Sequence, residues 1–556
     1  MKKLLSVFLA ILVVVPCFGI TSFAYGDFVE FEKDGLYYLG YMEDEVYVTG
    51  YDESDFEESD RELTIPATVK KGFRKTYTVV GIELAAFAES GFEKITLPET
   101  IREIGDEAFY MAENLQEVVI PAECELEYFG MDVFTGTLAE EKLFGGGDTA
   151  EIGRNVLYGY IGNEKDYVVG DNIDLIASGC FMFSGIESIT FNENITSIPY
   201  ICFAGCRNLK SVTIPDTIYY VDDGAFKDCT NLKNVTLGEN VSYLGIQSFS
   251  NTAIESIHLP QNVSEISGAF MACKKLSSVT VDENHENLYT DGNAVYEKWE
   301  YSFEGFDGEQ IEEKTVSLEY YIPSKVSEII TIDAEVNQIG DYAFYNCDNM
   351  KEVHASELES IGTKAFAGTD VELFDFKGEC AIYDGAFYNC TSLKEIDLEN
   401  VSYITTAAFQ NCTSLKAVTL SDGLYVLDGN AFANTAIEEI TVTGEDIWLG
   451  EGVFQGCENL KKVTLGDGVL RVSMNTFLDC PKLESVYLSK TIDVFEENAL
   501  NGCENVKFEV IKNTDGHREV KKLGYDFEIV GKLTFLEEIS NFFDMLFDVL
   551  FGWMMR

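Results

Sequence analysis

A small or β-branched residue followed by phenylalanine recurs along this chain of 556 residues, and most successive copies lie about 21 to 25 residues apart. A period in this range is typical of a solenoid, in which each unit packs on its sequence neighbours. One unit is too short to bury a phenylalanine alone, so adjacent units must cover it. The copies end at Phe87, Phe109, Phe134, Phe181, Phe203, Phe226, Phe249, Phe270, Phe344, Phe366, Phe387, Phe409, Phe432, Phe454 and Phe477, with Leu500 in the last copy. We therefore predict roughly sixteen stacked units.

The copy from 218 to 238 shows the pattern inside one unit. Leu232, Val235 and Leu237 end in an alternating apolar and polar run, which is typical of a short strand with one buried face. The preceding segment, 224–232, favours a turn and about one helical turn. Within it, Ala225 leaves room for the next unit and Phe226 supplies the large apolar area that closes the core.

The pattern resembles the BspA-type branch of the leucine-rich repeat proteins. The segment 339–347 reads Ile-Gly-Asp-Tyr-Ala-Phe-Tyr-Asn-Cys, and 208–215 reads Asn-Leu-Lys-Ser-Val-Thr-Ile-Pro. The likeness extends from about residue 28 to about residue 530. It implies an α/β fold: a right-handed leucine-rich repeat solenoid with a parallel strand face and a short helical or turn segment in each repeat of about 22 residues. It also implies kinship with bacterial adhesins that engage host glycoproteins or neighbouring cells.

The N-terminus predicts export. Lys2 and Lys3 precede an apolar run from 4 to 15, and small residues around Ala24 suit cleavage, so we predict a signal peptide over 1–24. Attachment of lipid at Cys17 is the alternative, although Pro16 occupies a position where a small residue is usual. No later run of about 20 apolar residues predicts a membrane span, and no wall-sorting motif is found. The expected location is extracellular, either secreted or associated with the cell surface.

Four segments are expected, and the signal peptide is the first of them. Residues 25–80 form a strand-rich N-terminal cap, 81–530 form the solenoid, and 531–556 form a C-terminal amphipathic helix. Hairpin-bearing insertions interrupt the solenoid near 135–180 and 282–338. The C-terminal helix can cap the last unit, bind a partner or a second copy, or lie at a membrane interface.

The formal charge of −57 excludes whole classes of partner. Such a field repels nucleic acid and anionic membrane, and it attracts cations and basic protein surfaces. The alternative is that the acidic side chains only solvate a long exposed surface.

Nine of the fourteen cysteines stand three residues after the repeated phenylalanine, where other copies carry Ser, Thr or Ala. We interpret them as small buried side chains selected for size and not for thiol chemistry. Disulfides between adjacent units are allowed by geometry but are not required, and no Cys-x-x-Cys spacing indicates zinc. The nine are Cys206, Cys229, Cys273, Cys347, Cys390, Cys412, Cys457, Cys480 and Cys503.

One exposed position per unit lies between the last two buried positions of the strand, and we call this series the front column. Threonine dominates it, which has a structural explanation because threonine favours strands and pairs well across them. The series comprises Thr96, Val119, Thr190, Thr213, Thr236, His258, Thr280, His354, Asp375, Asp397, Thr419, Thr441, Thr464 and Tyr487.

The front column departs from threonine at His354, Asp375 and Asp397, on three successive units. Neighbouring carboxylates repel unless a cation, a proton or a basic partner lies between them. The three residues are therefore a candidate ligand or cation surface, with solvated surface as the alternative.

These observations predict a recognition or adhesion protein that binds an extracellular protein or glycan, of host or other origin, through the strand face. The alternative is a structural envelope or matrix component that assembles through the C-terminal helix. No nucleophile elbow, zinc-binding helix or phosphate-binding loop is present, so we predict no enzyme activity and no cofactor. Calcium at the acidic positions is a further hypothesis.

Overall fold

The computed structural model describes residues 29–41, 44–56, 61–72, 75–121, 124–140, 149–152, 155–304, 310–444, 446–504 and 506–534. The predicted signal peptide, 1–24, and residues 535–556 of the predicted C-terminal helix lie outside the described residues. The described chain forms two compact units, unit 1 from residues up to 163 with 170–181, and unit 2 from 164–169 with residues from 182 onward.

Unit 1 begins with antiparallel strands and continues with parallel ones. The strand 29–33 pairs antiparallel with 36–40, which pairs antiparallel with 45–51, and from there the order proceeds in parallel through 75–82, 103–104 and 128–129. Its strands are Val29–Lys33, Leu36–Gly40, Glu45–Tyr51, Glu62–Thr64, Thr68–Lys71, Lys75–Ile82, Lys94–Thr96, Glu103–Ile104, Glu117–Val119, Tyr128–Phe129, Thr149–Ile152, Val156–Tyr160 and Leu175–Ile176, with a 3-10 helix at Glu53–Asp55.

Most repeats of unit 2 contribute a strand to two series, and most neighbours within a sheet pair in parallel; the back strands 288–290, 294–304 and 310–321 pair antiparallel with one another. Most front strands contain the last residue of a Leu-x-x-Val or similar apolar pattern, as Asn234–Thr236 contains Val235. They are Asp166–Val168, Ser188–Thr190, Ser211–Thr213, Asn234–Thr236, Ser256–Leu259, Ser278–Val281, Ile329–Thr331, Glu352–Glu357, Leu373–Lys377, Glu395–Leu398, Ala417–Leu420, Glu439–Val442, Lys462–Leu465, Ser485–Leu488, Lys507–Lys512 and Asp526–Lys532.

The back strands precede the repeated phenylalanine. They are Ser197–Ile198, Tyr220–Val221, Tyr243–Leu244, Leu288–Thr290, Ala294–Glu304, Gln310–Tyr321, Gln338–Ile339, Ser360–Ile361, Cys380–Ile382, Val401–Ile404, Val426–Leu427, Ile447–Leu449, Val469–Val472 and Val494–Phe495. Eleven of them, from 288–290 to 494–495, form one sheet. Within that sheet, 294–304 and 310–321 form a long antiparallel hairpin. The parallel-strand solenoid predicted from the repeat is confirmed.

The repeated phenylalanines form a stack inside the solenoid. In unit 2, Phe409 is fully buried between Phe387 and Phe432, with ring centroids 5.2 and 5.1 Å away and interplanar angles of 5 and 2°. Each such ring removes a large apolar surface from water, which stabilises the fold by about 1.5 to 3 kcal/mol. Phe87, Phe109 and Phe134 stack in the same way in unit 1.

The segment that carries the phenylalanine is a series of turns, which is the turn form of the predicted helical or turn segment; the helical turn is not formed there. The amides of Gly224, Phe226 and Asp228 donate to carbonyl oxygens of the next repeat at 2.9, 2.7 and 2.9 Å, whereas those of Ala225 and Lys227 donate three residues back. Gly224 and Asp228 have positive φ angles, 63 and 60°. A left-handed residue at both positions is incompatible with a helix and turns alternate amides toward the neighbouring repeat.

The buried cysteines do more than fill space. The thiols of Cys229, Cys390 and Cys412 donate to the carbonyl oxygens of phenylalanines one repeat earlier, at 3.1, 3.0 and 3.1 Å. The nine are small and mostly buried, as predicted, and the thiol hydrogen bonds add to this packing; a donor is not required, because the equivalent Ala112 is fully buried without one. All the cysteines that the structure describes are free thiols.

Thiol reactivity is expected to differ along this series. Burial raises the pKa of Cys390 to about 12, while the thiol of Cys480 lowers the pKa of the partly exposed Cys503 by hydrogen bonding to it. Because the thiolate is the nucleophile, iodoacetamide at pH 8 should label Cys503 first and Cys390 only after unfolding. Peptide mass spectrometry over a time course measures the order, and equal native rates at the two positions would contradict it.

The C-terminal end of unit 2 differs from the prediction. Gly531 and Lys532 end the strand Asp526–Lys532, so the helix predicted to begin at 531 does not begin there. Pairing with Lys507–Lys512 continues to Lys532 and keeps the backbone extended. A helix that the sequence analysis missed, Asp515–Leu523, is capped by the Thr514 hydroxyl and ends at Gly524 in the left-handed region.

Candidate functional site

The front column lies on the outer face of the front strands. In each strand the residue before it points into the core, as Val212 and Ile257 do, and its own side chain points outward. Parallel pairing places Thr213 opposite Thr236 and His258 opposite Thr280. His258 Nδ1 and Thr280 Oγ1 are 3.0 Å apart. The column is therefore a continuous row within each paired group of strands.

His354 has acidic neighbours on two sides. It lies opposite Asp375 in the strand register, and its Nδ1 atom is 3.6 Å from Asp375 Oδ2. Its Nε2 atom is 3.6 Å from Glu352 Oε2, two residues earlier on the same face. A protonated imidazole at this position would interact favourably with both carboxylates. The structure thus brings together two of the three residues proposed from the sequence.

The contacts of Asp397 differ from those of His354 and Asp375. The pairing between its strand and the preceding one includes Leu373 with Glu395 and Phe374 with Ile396, and it ends before Asp375. The Asp397 carboxylate accepts a hydrogen bond of 3.1 Å from the backbone amide of Glu399. This contact gives Asp397 a structural role in the turn after its strand, which spacing along the sequence could not show.

A groove of about 420 Å³ runs across the repeats of His354, Asp375 and Asp397 and the repeat before them. Its walls combine apolar side chains with charges of both signs, and Ile329 remains 56 % exposed. The lining residues are Glu328, Ile329, Lys351, Glu352, Glu372, Leu373, Lys394 and Glu395. Because Glu352 lies both in the groove and beside His354, the groove and the front column form one surface.

The charges in the groove alternate from repeat to repeat. Lys351 Nζ lies 3.5 Å from Glu372 Oε1, and Lys394 pairs with Glu372 from the other side. Lys394, assisted by Lys351, holds the pKa of the Glu372 carboxyl below its ordinary value. The strand alternation did not reveal this row, because its members lie three residues before the front column.

A second group of carboxylates lies on the back strands beside the long hairpin. Ser267 Oγ donates to Glu319 Oε2 at 3.3 Å, and Ser267 N donates to Glu265 Oε1 at 3.3 Å. Burial raises the pKa of Glu319 to about 7, and the negative charges of Glu297 and Glu265 add to the shift. Among the described residues, no group of three or more His, Cys, Asp or Glu side chains is arranged to hold a metal ion.

Comparison with known proteins identifies the family. A model described as a BspA type Leucine rich repeat region (6 copies) matches residues 80–210, 196–292, 314–435 and 380–507. The chain belongs to the BspA-type leucine-rich repeat family. The resemblance predicted from the repeated motif is confirmed, and the match covers most of the repeats in both units of this family member. No curated protein matches the chain.

Solved structures of similar proteins share low identity with this BspA-type chain. The pneumococcal vaccine antigen PcpA is 16 % identical, with a TM-score of 0.33, and the match covers 90 % of this chain and 98 % of that one. A leucine rich cell surface protein from Faecalibacterium prausnitzii is 20 % identical, with a TM-score of 0.30 and coverage of 89 and 98 %. A leucine-rich repeat protein from Eubacterium ventriosum is 23 % identical, with a TM-score of 0.36 and coverage of 63 and 85 %.

Among the residues that the structure describes, no helix has the length and apolar character needed to cross a membrane.

Proposed function

We propose that this BspA-type protein is a secreted or surface-associated recognition protein that binds an extracellular protein or glycan through the front column. The observation that carries the proposal is the surface around His354, where the threonine row gives way to His354 and Asp375 at 3.6 Å beside a groove of about 420 Å³. Binding and not catalysis is the proposed activity.

The composition of this surface supports recognition. It offers an imidazole that can donate and accept hydrogen bonds, carboxylates that accept them, and lysines that donate. Exposed Ile329 adds an apolar contact. Protein interfaces combine such apolar centres with polar groups that fix orientation. The buried core lies beneath the front strands, so ligand contacts here need not disturb it.

The test is binding of the full chain to an array of extracellular proteins and glycans at physiological salt. For a saturable hit, the combined variant His354→Ala, Asp375→Asn and Asp397→Asn should bind about tenfold or more weakly, because it removes charged and hydrogen-bonding groups at the centre of the surface. The matched control is Thr213→Ala with Thr236→Ala, on the same column where the threonine row is regular. Equal losses in both variants, or a hit that neither variant weakens, would reject this location.

Calcium is tested in the same assay. The proposed role of calcium is to screen Asp375 and Asp397, so chelation should weaken binding only where both carboxylates are present. Asp375→Asn with Asp397→Asn should then abolish the calcium dependence. Binding that is unaffected by chelation in the unsubstituted chain would reject the calcium hypothesis while leaving recognition intact.

A further inference from the structure

A stripe of exposed side chains, three aromatic and one cationic, lies on or next to the back strands of unit 2, on a face that the proposed function does not use. The stripe consists of Tyr403, Tyr425, Trp448 and Arg471, from four successive repeats, and we call it the back stripe. Tyr403, Tyr425 and Trp448 are 43, 49 and 64 % exposed. Four consecutive repeats thus present large side chains to solvent on one surface.

The side chains of the back stripe contact one another in two pairs. The rings of Tyr403 and Tyr425 stack with centroids 5.9 Å apart and an angle of 28° between their planes. Arg471 lies opposite Trp448 in the strand register, and its guanidinium carbon is 5.7 Å from the Trp448 ring centroid. Arg471 also forms an ion pair with Glu496. The stripe thus consists of two contacting pairs on four successive repeats.

The core does not require this array. The inward positions of the same strands, Ile404, Leu427 and Leu449, are fully buried and complete the packing beneath the sheet. Single exposed apolar residues are common on protein surfaces, but a contiguous group of them indicates a binding surface. Tyrosine, tryptophan and arginine are also the residues that contribute most energy to protein interfaces.

Acidic residues border the stripe, both next to its own short strands and next to the following strand, 494–495. Asp446 and Asp493 immediately precede two of the back strands, and Asp428 immediately follows another. All three are exposed. Asp428 Oδ2 accepts a hydrogen bond of 3.2 Å from Thr406 Oγ1 of the preceding repeat, which fixes it beside the stripe. Within the stripe, the one cation is Arg471, and Glu496 already pairs with it.

We propose that the back stripe binds an arginine- and lysine-rich segment of a second protein. Cationic side chains interact favourably with tyrosine and tryptophan rings, and their aliphatic stems cover apolar surface. The acidic border supplies charge complementarity, and the net charge of −57 opposes pairing with a second copy of this chain. The proposal is independent of the front column and of the ligand bound there.

A nona-arginine peptide tests the proposal with the full chain at 150 mM salt. The chain contains three tryptophans, so replacing Trp299 and Trp553 by Phe leaves Trp448 as the fluorescent reporter. Peptide binding should change the Trp448 emission saturably, with one peptide bound at the stripe. Calorimetry should show binding at least about tenfold weaker for Tyr425→Ala with Trp448→Ala.

The matched control is Tyr219→Ala with Tyr220→Ala, two tyrosines at the start of a back strand of the same unit that are 44 and 55 % exposed. Neither double variant changes the net charge, so diffuse attraction of the peptide to the acidic chain is the same in both. Unchanged binding in the control supports the proposal. Equal weakening in both pairs, absence of binding at 150 mM salt, or tighter binding of a neutral glycan or of a second copy to the stripe would overturn it. Thermal melting of each variant verifies that the exposed substitutions leave the fold intact.

Discussion

Phe409→Ala is expected to destabilise unit 2 by about 3 to 5 kcal/mol. The Phe409 ring is fully buried and stacks on Phe387 and Phe432 at 5.2 and 5.1 Å. Its removal loses the apolar transfer energy and leaves a cavity that two flat neighbouring rings cannot close. Because solenoid repeats contact mainly their neighbours, the loss should also uncouple the repeats on its two sides. Urea unfolding followed by circular dichroism measures the loss, and hydrogen exchange locates it.

Two other substitutions calibrate this prediction. Phe409→Leu should cost less, about 1 to 2 kcal/mol, since Leu500 already occupies the equivalent position of the last copy and is 4 % exposed. Phe183→Ala removes a ring that is 72 % exposed and should change the free energy of unfolding by less than about 0.5 kcal/mol. If Phe409→Ala were as mild as Phe183→Ala, the phenylalanine stack would not be what holds the repeats together.

Glu319→Gln is expected to stabilise the protein at pH 8 by about 1 to 3 kcal/mol and to have little effect near pH 4. Burial raises the pKa of Glu319 to about 7 from an ordinary value of 4.5, and the charges of Glu297 and Glu265 contribute. Below pH 4.5 the carboxyl is protonated in both the folded and the unfolded chain, so the folded state bears no penalty. Between pH 4.5 and about 7 the carboxyl ionises in the unfolded chain but stays protonated in the folded chain, so the folded state loses stability over this range and the loss is complete above it.

Glutamine removes that penalty while its amide oxygen still accepts the hydrogen bond from Ser267 Oγ. The measurement is urea unfolding of both chains at pH 4, 6 and 8. The control is Glu283→Gln, an exposed carboxyl in the same part of the chain, which should show no comparable gain at pH 8. A gain for Glu319→Gln that is equal at all three pH values would contradict the titration of Glu319 as its cause.

The repeated phenylalanines predicted the solenoid because one large buried residue per repeat has a single simple packing solution. The turns around them were predicted less well. Asp228, Asn389 and Asn411 stand two residues after the phenylalanine and have φ angles of 60, 60 and 65°. Asp and Asn are the residues that tolerate this conformation best, so the sequence did contain the signal that excludes a helical turn.

The site was predictable only as far as strand periodicity extends. Periodicity placed His354 opposite Asp375, since both occupy the outward position of adjacent strands. It could not show that Asp397 accepts a hydrogen bond from the amide of Glu399, because that contact depends on the path of the chain after the strand. The charge row of Lys351, Glu372 and Lys394 depends on side-chain reach between repeats, which no single repeat reveals.

The alternation of amides around each phenylalanine also bears on how such a chain changes length over generations. In most of these turns, backbone donors from one repeat meet backbone acceptors of the next, as Phe226 N meets the carbonyl oxygen of Ser248 at 2.7 Å. Backbone groups are the same in all repeats, so this joint does not depend on which repeat follows which. An in-frame duplication or loss of one whole repeat therefore recreates the same backbone joint at the new boundary. Recombination of whole repeats can therefore lengthen or shorten the binding surfaces without requiring a new set of contacts between repeats.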